Sequence, residues 1–157
     1  MQEVFDIQST DEFQDGNEMQ VVAFKLGNEE YAVDILFVQE IIRLLNTTRV
    51  PRSGENIEGV INLRGNIIPI VNLHFEFNLQ TSENQEAKRI IVFKLDEYQV
   101  GIIVDEVSEV LRIQGNNIEP AAKVYGNLEA DHIRGIAKVN ERLLILLDLA
   151  KIFEAGW

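Results

Sequence analysis

The stretch GVINLRGNIIPIVNL, residues 59–73, gives the clearest indication of the fold. Aliphatic residues fill both of its arms, and Arg64-Gly65-Asn66 separates them. Two apolar arms on either side of a short break are typical of a β-hairpin, and Gly65 and Asn66 both tolerate the positive φ that a tight turn requires. The stretch therefore predicts a hydrophobic hairpin that carries an arginine at its tip.

The hairpin stretch has a second copy, which reveals an internal repeat. Residues 59–77 align without a gap with residues 135–153, GIAKVNERLLILLDLAKIF, and the matching tip is Asn140-Glu141. Because the second tip turns the chain without an arginine, the turn itself does not require Arg64. Two segments upstream of the hairpins also match each other: VVAFKLGNEEYAVDILFVQEIIRL, residues 21–44, and IIVFKLDEYQVGIIVDEVSEVLRI, residues 90–113.

The repeat predicts the domain organisation and the fold class. We expect a single domain of residues 19–157, with one subdomain at about 19–80 and another at about 88–155. Apolar and polar residues alternate in short segments separated by turn residues, which favours two small β-barrels with short helices. Asn72 and Asp148 each precede one of the predicted helices. At this position a side-chain oxygen can accept a hydrogen bond from a free backbone amide.

The charge of the chain is strongly negative, with a net value of −12. Residues 1–18 contain six acidic residues and no lysine or arginine, and we interpret them as a disordered acidic leader. An acidic protein is poorly suited to nucleic acid, because affinity for phosphates is built on clustered Lys and Arg. No apolar run approaches the length of a membrane span, no secretory signal is visible and cysteine is absent. These features predict a cytoplasmic protein.

The sequence lacks the catalytic motifs of common enzymes. His74 and His132 stand alone rather than at the spacing of metal ligands, and no glycine-rich phosphate loop is present. Asp105, Glu106 and Glu109 form a small acidic cluster, which we interpret as a solvated face. We therefore expect no catalysis, no metal and no cofactor, and favour a binding module with a cleft between its two barrels.

A positive island interrupts the acidic chain at Arg43, Arg49, Arg52 and Arg64. Arginine suits bidentate contacts with carboxylates at interfaces better than lysine does. The alternative, that these side chains are ordinary solvated surface, stays open.

The hairpin motif, together with YAVDILFVQEII and VGIIVDEVSEVL, resembles the CheW family of chemotaxis coupling proteins from about residue 20 to 155. This resemblance implies two SH3-like five-stranded barrels and an adaptor without activity of its own. It also implies binding to the regulatory domain of the histidine kinase CheA and to the cytoplasmic tip of transmembrane chemoreceptors. The adaptor would be a monomer when free and would join membrane-associated receptor arrays.

Candidate contact residues follow partly from the resemblance and partly from the repeat. The NLRG motif and VQEI imply contacts from Arg64, Gly65 and Glu40, and we hypothesise that Arg64 and Glu40 lie close together. Apolar contacts are expected in the two repeat-related segments, with core packing as the alternative, and glycines are expected to allow close approach of a strand or a receptor helix. These further candidates are Val38, Ile41, Val104, Val107, Gly59, Gly101 and Gly135.

Two alternatives to this function remain. The chain could serve a different receptor and kinase array with another motility or signalling output, which only the identity of its partners would distinguish. A small-molecule enzyme would require acid and base residues that converge on a pocket.

Overall fold

The computed structural model describes residues 18–120 and 132–153, which fold mainly as β-strands. The strands are β1 (Glu18–Leu26), β2 (Glu29–Asp34), β3 (Val38–Arg43), β4 (Ile57–Leu63), β5 (Asn66–Val71), β6 (Arg89–Leu95), β7 (Tyr98–Val104), β8 (Glu106–Gln114), β9 (Ile118–Glu119), β10 (Ile133–Val139) and β11 (Arg142–Leu147). The helices are α1 (Leu73–Glu76), α2 (Leu149–Ile152) and the 3-10 turns Ile35–Phe37, Gln85–Ala87 and Gly115–Asn117. The predicted acidic leader lies outside the described residues except for Glu18, which begins β1.

The strands form two sheets, and each sheet lies mainly in one of two compact units, with the end of β1 and the start of β8 assigned to the second unit. The first sheet has the order β8-β1-β2-β11-β10-β9, and the second has the order β3-β6-β7-β5-β4. Among the described residues, the first unit consists of 18–24, 29–36, 108–120 and 132–153, and the second consists of 25–28 and 37–107.

These units do not follow the two halves of the repeat. Strand β3 of the first half pairs with β6 of the second half, so that Ile42 lies opposite Ile90 in the second sheet. In the same way β8 of the second half lies beside β1 of the first half. The predicted subdomains at about 19–80 and 88–155 are therefore corrected. Each sheet contains two strands from the other half: β1 and β2 join the strands of the second half in the first sheet, and β6 and β7 join those of the first half in the second sheet. This exchange arises because apolar strands far apart in the sequence pair with each other.

Each unit has an aliphatic core of its own. The cluster in the second unit consists of Ile61, Ile68, Ile70, Ile90 and Val92. The cluster in the first unit consists of Met19, Val21, Ala23, Ala32, Ile113, Ala137, Leu144 and Leu146. The predicted class, mainly β with two small sheet subdomains and short helices, is confirmed. The second sheet has the expected five strands, and the first has an additional two-residue strand, β9.

The predicted helix caps are also confirmed. The Asn72 side chain accepts from the backbone N–H of Phe75 at 3.1 Å, and the Asp148 side chain accepts from that of Lys151 at 3.2 Å. Each bond satisfies an amide that has no partner within the first turn of a helix. The caps end the hairpins β4–β5 and β10–β11 at equivalent positions, so the local chemistry of the repeat is kept in both units.

Candidate functional site

The tip of hairpin β4–β5 is a two-residue turn. Leu63 and Asn66 face each other as the last pair of the ladder, and Arg64 and Gly65 connect them. Both turn residues have positive φ, 52° for Arg64 and 90° for Gly65, as the tight turns that match strand twist require. The Asn62 side chain accepts from the Gly65 N–H at 2.9 Å. Our expectation that Gly65 and Asn66 take the positive φ was wrong for Asn66, which already belongs to β5.

Arg64 forms an ion pair with Glu40 on β3, an edge strand of the same sheet. Its Nη2 donates a hydrogen bond to Oε1 of Glu40, which confirms that the two side chains lie close together. The hydrogen bond from Arg64 to Glu40 and then the charge of Glu40 raise the pKa of the guanidinium above its ordinary value. The Arg64 side chain is 66% exposed and that of Glu40 is 26% exposed, so the pair meets solvent.

Local stability gives no reason for an arginine at this tip. The left-handed region that Arg64 occupies is unfavourable for a long side chain and is occupied more readily by Asn or Gly. An ion pair this exposed is screened by water and contributes little to the fold. The guanidinium also has further N–H groups that remain available to a carboxylate of a partner. Contact of Arg64, Gly65 and Glu40 with a partner stays a prediction, and the geometry is compatible with it.

The four apolar candidates differ in how accessible they are. Val38 is 8% exposed and Val104 is fully buried, so packing in the interior accounts for both. Ile41 and Val107 are only half-buried. Of the four, Ile41 and Val107 therefore retain surface that a partner can contact.

The three candidate glycines are all buried and lie against atoms of their own chain. A Cβ atom at any of them would overlap a neighbour: Thr48 O at 2.6 Å for Gly59, Glu119 O at 2.7 Å for Gly135 and Ile70 Cδ1 at 2.8 Å for Gly101. Close packing of strands therefore accounts for these glycines, and a role in contacting a receptor helix stays a prediction.

The positive island is only partly paired. Arg43, Arg49, Arg52 and Arg64 are all exposed. Among the residues that the structure describes, Arg64 is the member of the island with a carboxylate partner. The other three guanidinium groups are open to solvent or to a ligand.

A buried carboxylate that sequence reasoning missed lies within the second unit. Asp105 is only 4% exposed. Its Oδ2 accepts from the Gly27 N–H at 2.8 Å and lies 3.0 Å from His74 Nε2, while Oδ1 accepts from the Thr81 hydroxyl and the Ser82 N–H at 3.1 Å each. Our interpretation of Asp105 as part of a solvated face was therefore wrong.

The hydrogen bonds decide the ionisation of Asp105. Burial favours the neutral acid, but the bonds from His74, Gly27 and Ser82 together hold the pKa of this carboxyl below its usual range. The charged carboxylate thus ties helix α1, through His74, to Gly27 in the β1–β2 turn and to Thr81 and Ser82. In the sequence the only signal was an aspartate directly after the apolar run of β7, where the acidic neighbours Glu106 and Glu109 concealed it.

The described residues contain no group of three or more His, Asp or Glu side chains arranged to hold a metal ion. Within the same part of the chain, no helix is both long and apolar enough to cross a membrane.

Comparison with known proteins places the chain in a family. Residues 20–156 match the family described as CheW-like domain. The chemotaxis protein CheW of Klebsiella aerogenes is 40% identical over 132 residues, 84% of this chain and 80% of the relative. The chemotaxis protein CheW of Thermotoga maritima is 37% identical over 139 residues, 87% of this chain and 89% of the relative.

A solved structure agrees with this assignment. The crystal structure of the scaffolding protein TtCheW from Thermoanaerobacter tengcongensis superposes with a TM-score of 0.81 at 36% identity, covering 88% of this chain and 89% of that one. The fold is thus that of a small β-sheet scaffolding protein with two SH3-like subdomains. The chain belongs to the CheW-like domain family, the chemotaxis CheW proteins.

Proposed function

We propose that this chain is a non-enzymatic adaptor that couples transmembrane chemoreceptors to the histidine kinase CheA in bacterial chemotaxis. The proposal is supported by membership of the family and by relatives named as chemotaxis and scaffolding proteins. The single structural observation that carries the site is the exposed Arg64–Glu40 pair at the tip of β4–β5. An arginine in an unfavourable backbone region, with little benefit to the fold, is best explained by use at an interface.

In this proposal Arg64 and Glu40 act as a pair of opposite charges that a partner recognises. A partner carboxylate approaching Arg64 competes with Glu40 for the guanidinium, and a partner cation can then take the released Glu40. Charged pairs of this kind set orientation and partner choice, whereas the affinity comes from apolar neighbours. Ile41, on the same edge strand, and Val107 supply accessible apolar surface for that purpose.

The cellular setting is part of the same proposal. The adaptor would work in the cytoplasm, bind the regulatory domain of CheA and the cytoplasmic tips of the receptors, and be recruited to receptor clusters at the membrane. An adaptor for a different receptor and kinase array would have the same fold, so the choice of partner proteins distinguishes that alternative.

The test is a reconstituted kinase assay with receptor-containing membranes, CheA and this protein. We expect the wild-type chain to raise receptor-dependent autophosphorylation of CheA. We expect Arg64→Glu to lose most of that activation, because it reverses the charge at the tip and places two carboxylates side by side. Binding to receptor membranes and to CheA is measured separately for each protein.

A matched control is Arg112→Glu, which reverses the charge of another exposed arginine whose partner is Glu18. This variant should activate like the wild type. Equal activation by Arg64→Glu and Arg112→Glu would remove Arg64 from the interface, and absence of any binding by the wild-type chain would refute the coupling function.

A further inference from the structure

A groove on the second unit has an apolar wall that the proposed coupling site does not use. It encloses about 510 Å³, and its apolar lining consists of Leu44, Leu45, Phe75, Leu79 and Ile103. Leu45 is 41% exposed and Phe75, on helix α1, is 52% exposed, so two large apolar side chains meet solvent beside the groove. Exposed apolar surface of this kind marks an interaction site when it is contiguous.

The groove continues into a basic pocket of about 410 Å³. The two cavities share Leu44, Gln85 and Lys88, and the pocket adds Arg43, Glu86 and Arg89 to the lining. Three of the six lining side chains are thus basic, on a protein with a net charge of −12. The apolar groove therefore ends in a local positive charge that is unusual for this surface.

Two of these basic residues oppose each other across the sheet. Arg43 on β3 and Arg89 on β6 are partners in the strand register, so their side chains extend from the same face. Like charges directly opposite each other destabilise a strand pair. Within the described ranges neither arginine has a carboxylate partner, and Glu86 forms no ion pair with them. The arrangement lacks an anion that would balance it.

The pocket is partly preorganised. The Arg89 guanidinium donates to the carbonyl oxygens of Glu86 and Lys88, at 2.8 Å each, and this holds it in place. The Lys88 ammonium donates to the Thr81 hydroxyl at 2.8 Å, and that hydroxyl donates to Asp105. Lys88 is therefore linked to the buried Asp105 through the Thr81 hydroxyl. Arg43 remains exposed, so its guanidinium can bind a ligand.

We propose that this groove binds a peptide segment of a partner protein, with apolar side chains along the wall and a carboxylate held between Arg43 and Arg89. Arginine pairs bind carboxylates with charge-assisted hydrogen bonds, and the apolar wall supplies the buried area. Glu58 lines the groove but not the basic pocket. Because its carboxylate repels other carboxylates, the acidic end of the segment is directed away from Glu58 and toward the basic pocket. The surface goes beyond the proposed coupling function, since it requires neither Arg64 nor Glu40.

The experiment uses the full chain labelled with ¹⁵N and two short synthetic probes. One probe is the capped peptide acetyl-Leu-Leu-Phe-Glu-Glu-amide, and the other replaces both glutamates with glutamine. We expect the acidic probe to shift the amide resonances of Leu44, Leu45 and Arg43 in a saturable way. Arg43→Gln should weaken its binding about tenfold, the loss expected from one charge-assisted hydrogen bond.

Arg49→Gln is the matched control, because Arg49 is an exposed arginine that lines neither cavity. It should bind the acidic probe like the wild type. Equal binding of both probes, or equal loss in Arg43→Gln and Arg49→Gln, would overturn the assignment of the arginine pair. If sodium acetate or phosphate alone shifts the amide resonances of Arg43 and Arg89, and the peptide does not shift those of Leu44 and Leu45, peptide binding in the apolar groove is refuted. The site would then be an anion pocket only. No shift with the acidic probe at millimolar concentration would overturn the proposal as a whole.

Discussion

Hairpin β4–β5 turns at Arg64-Gly65, whereas hairpin β10–β11 turns at Asn140-Glu141. The two tips nevertheless have one backbone shape, with φ of 52° and 90° in the first and 52° and 76° in the second. Both ladders also carry an irregularity two residues into the first strand, before Gly59 and before Gly135. The turn geometry thus survives a complete change of the turn residues.

Each hairpin contains an arginine that pairs with a glutamate on another strand, Glu40 on β3 or Glu109 on β8, and these two strands are related by the repeat. The two arginines differ in their position within the hairpin. Arg64 lies in the turn itself and pairs with Glu40 on β3. Arg142 is the first residue of β11, and it donates to Glu109 on β8 at 2.6 Å and to both oxygens of Glu30 on β2 at 2.7 and 3.2 Å. These bonds, to Glu30 first, raise the pKa of Arg142 above its ordinary value.

Arg142 and Arg64 differ in how much each contributes to the fold. Arg142 is half-buried and held by two carboxylates, one of them in a bidentate pair, so it joins three strands of its unit. Arg64 is mostly exposed and held by one carboxylate, so it adds little to its unit and stays available. The partner-binding role that we propose therefore falls to the arginine that contributes little to the fold.

The short helix after each hairpin shows the same divergence. Repeat alignment places His74 of α1 opposite Ala150 of α2. His74 is buried against Asp105, whereas Ala150 is exposed. The second unit thus has a buried histidine in a polar network at a position where the repeat in the first unit has an exposed alanine.

The largest expected effect comes from breaking that network with Asp105→Asn. The variant keeps the shape of the side chain but loses the charge that accepts four hydrogen bonds, and we expect a loss of about 3 kcal/mol in the free energy of unfolding. The exposed neighbour Glu106 provides the control, because Glu106→Gln should change stability little. Urea unfolding followed by circular dichroism measures both.

The same variant should alter the dependence of stability on pH. Because the pKa of Asp105 is lowered in the fold, its contribution is complete above its ordinary pKa of about 4 and is lost as the pH falls through the lower folded value. The stability difference between wild type and Asp105→Asn should therefore shrink below about pH 4. A difference that stays constant from pH 7 to pH 3 would contradict the assigned ionisation.

A smaller effect is expected for Arg142→Met, which keeps the apolar stem of the side chain and removes its charge. The loss of bonds to Glu30 and Glu109 should cost about 1–2 kcal/mol in unfolding free energy. Arg112→Met removes an exposed arginine with a single partner, Glu18, and should be nearly neutral by the same urea measurement. Equal losses in the two variants would show that Arg142 is not a structural link.

The smallest effect on stability is expected for Arg64→Asn, which gives the first tip the residue found at the start of the second. Asn tolerates the left-handed region better than Arg, so the midpoint of urea unfolding should stay the same or rise. Activation in the kinase assay should nevertheless fall. A clear loss of stability would show that the Arg64–Glu40 pair is structural after all and would remove the contrast with Arg142.

Sequence reasoning recovered the features that few neighbouring residues encode. The hairpin around Arg64, the caps at Asn72 and Asp148 and the mainly β class all follow from local alternation and turn chemistry. The proximity of Arg64 and Glu40 was a hypothesis drawn from the family, and the structure bears it out. The burial of Asp105 could not be predicted, because its four donors come from three separate parts of the chain.

The repeat, the two hairpins and the family can be recognised in the sequence, since each depends on a pattern within a few consecutive residues or on aligned motifs. The packing of the whole chain determines which strands share a sheet, which arginine is structural and which carboxylate is buried. Parallel pairings such as Ala32 with Leu146 and Ile70 with Gly101 join residues far apart in the chain. Such pairings depend on how whole apolar faces fit together, and no local pattern specifies them.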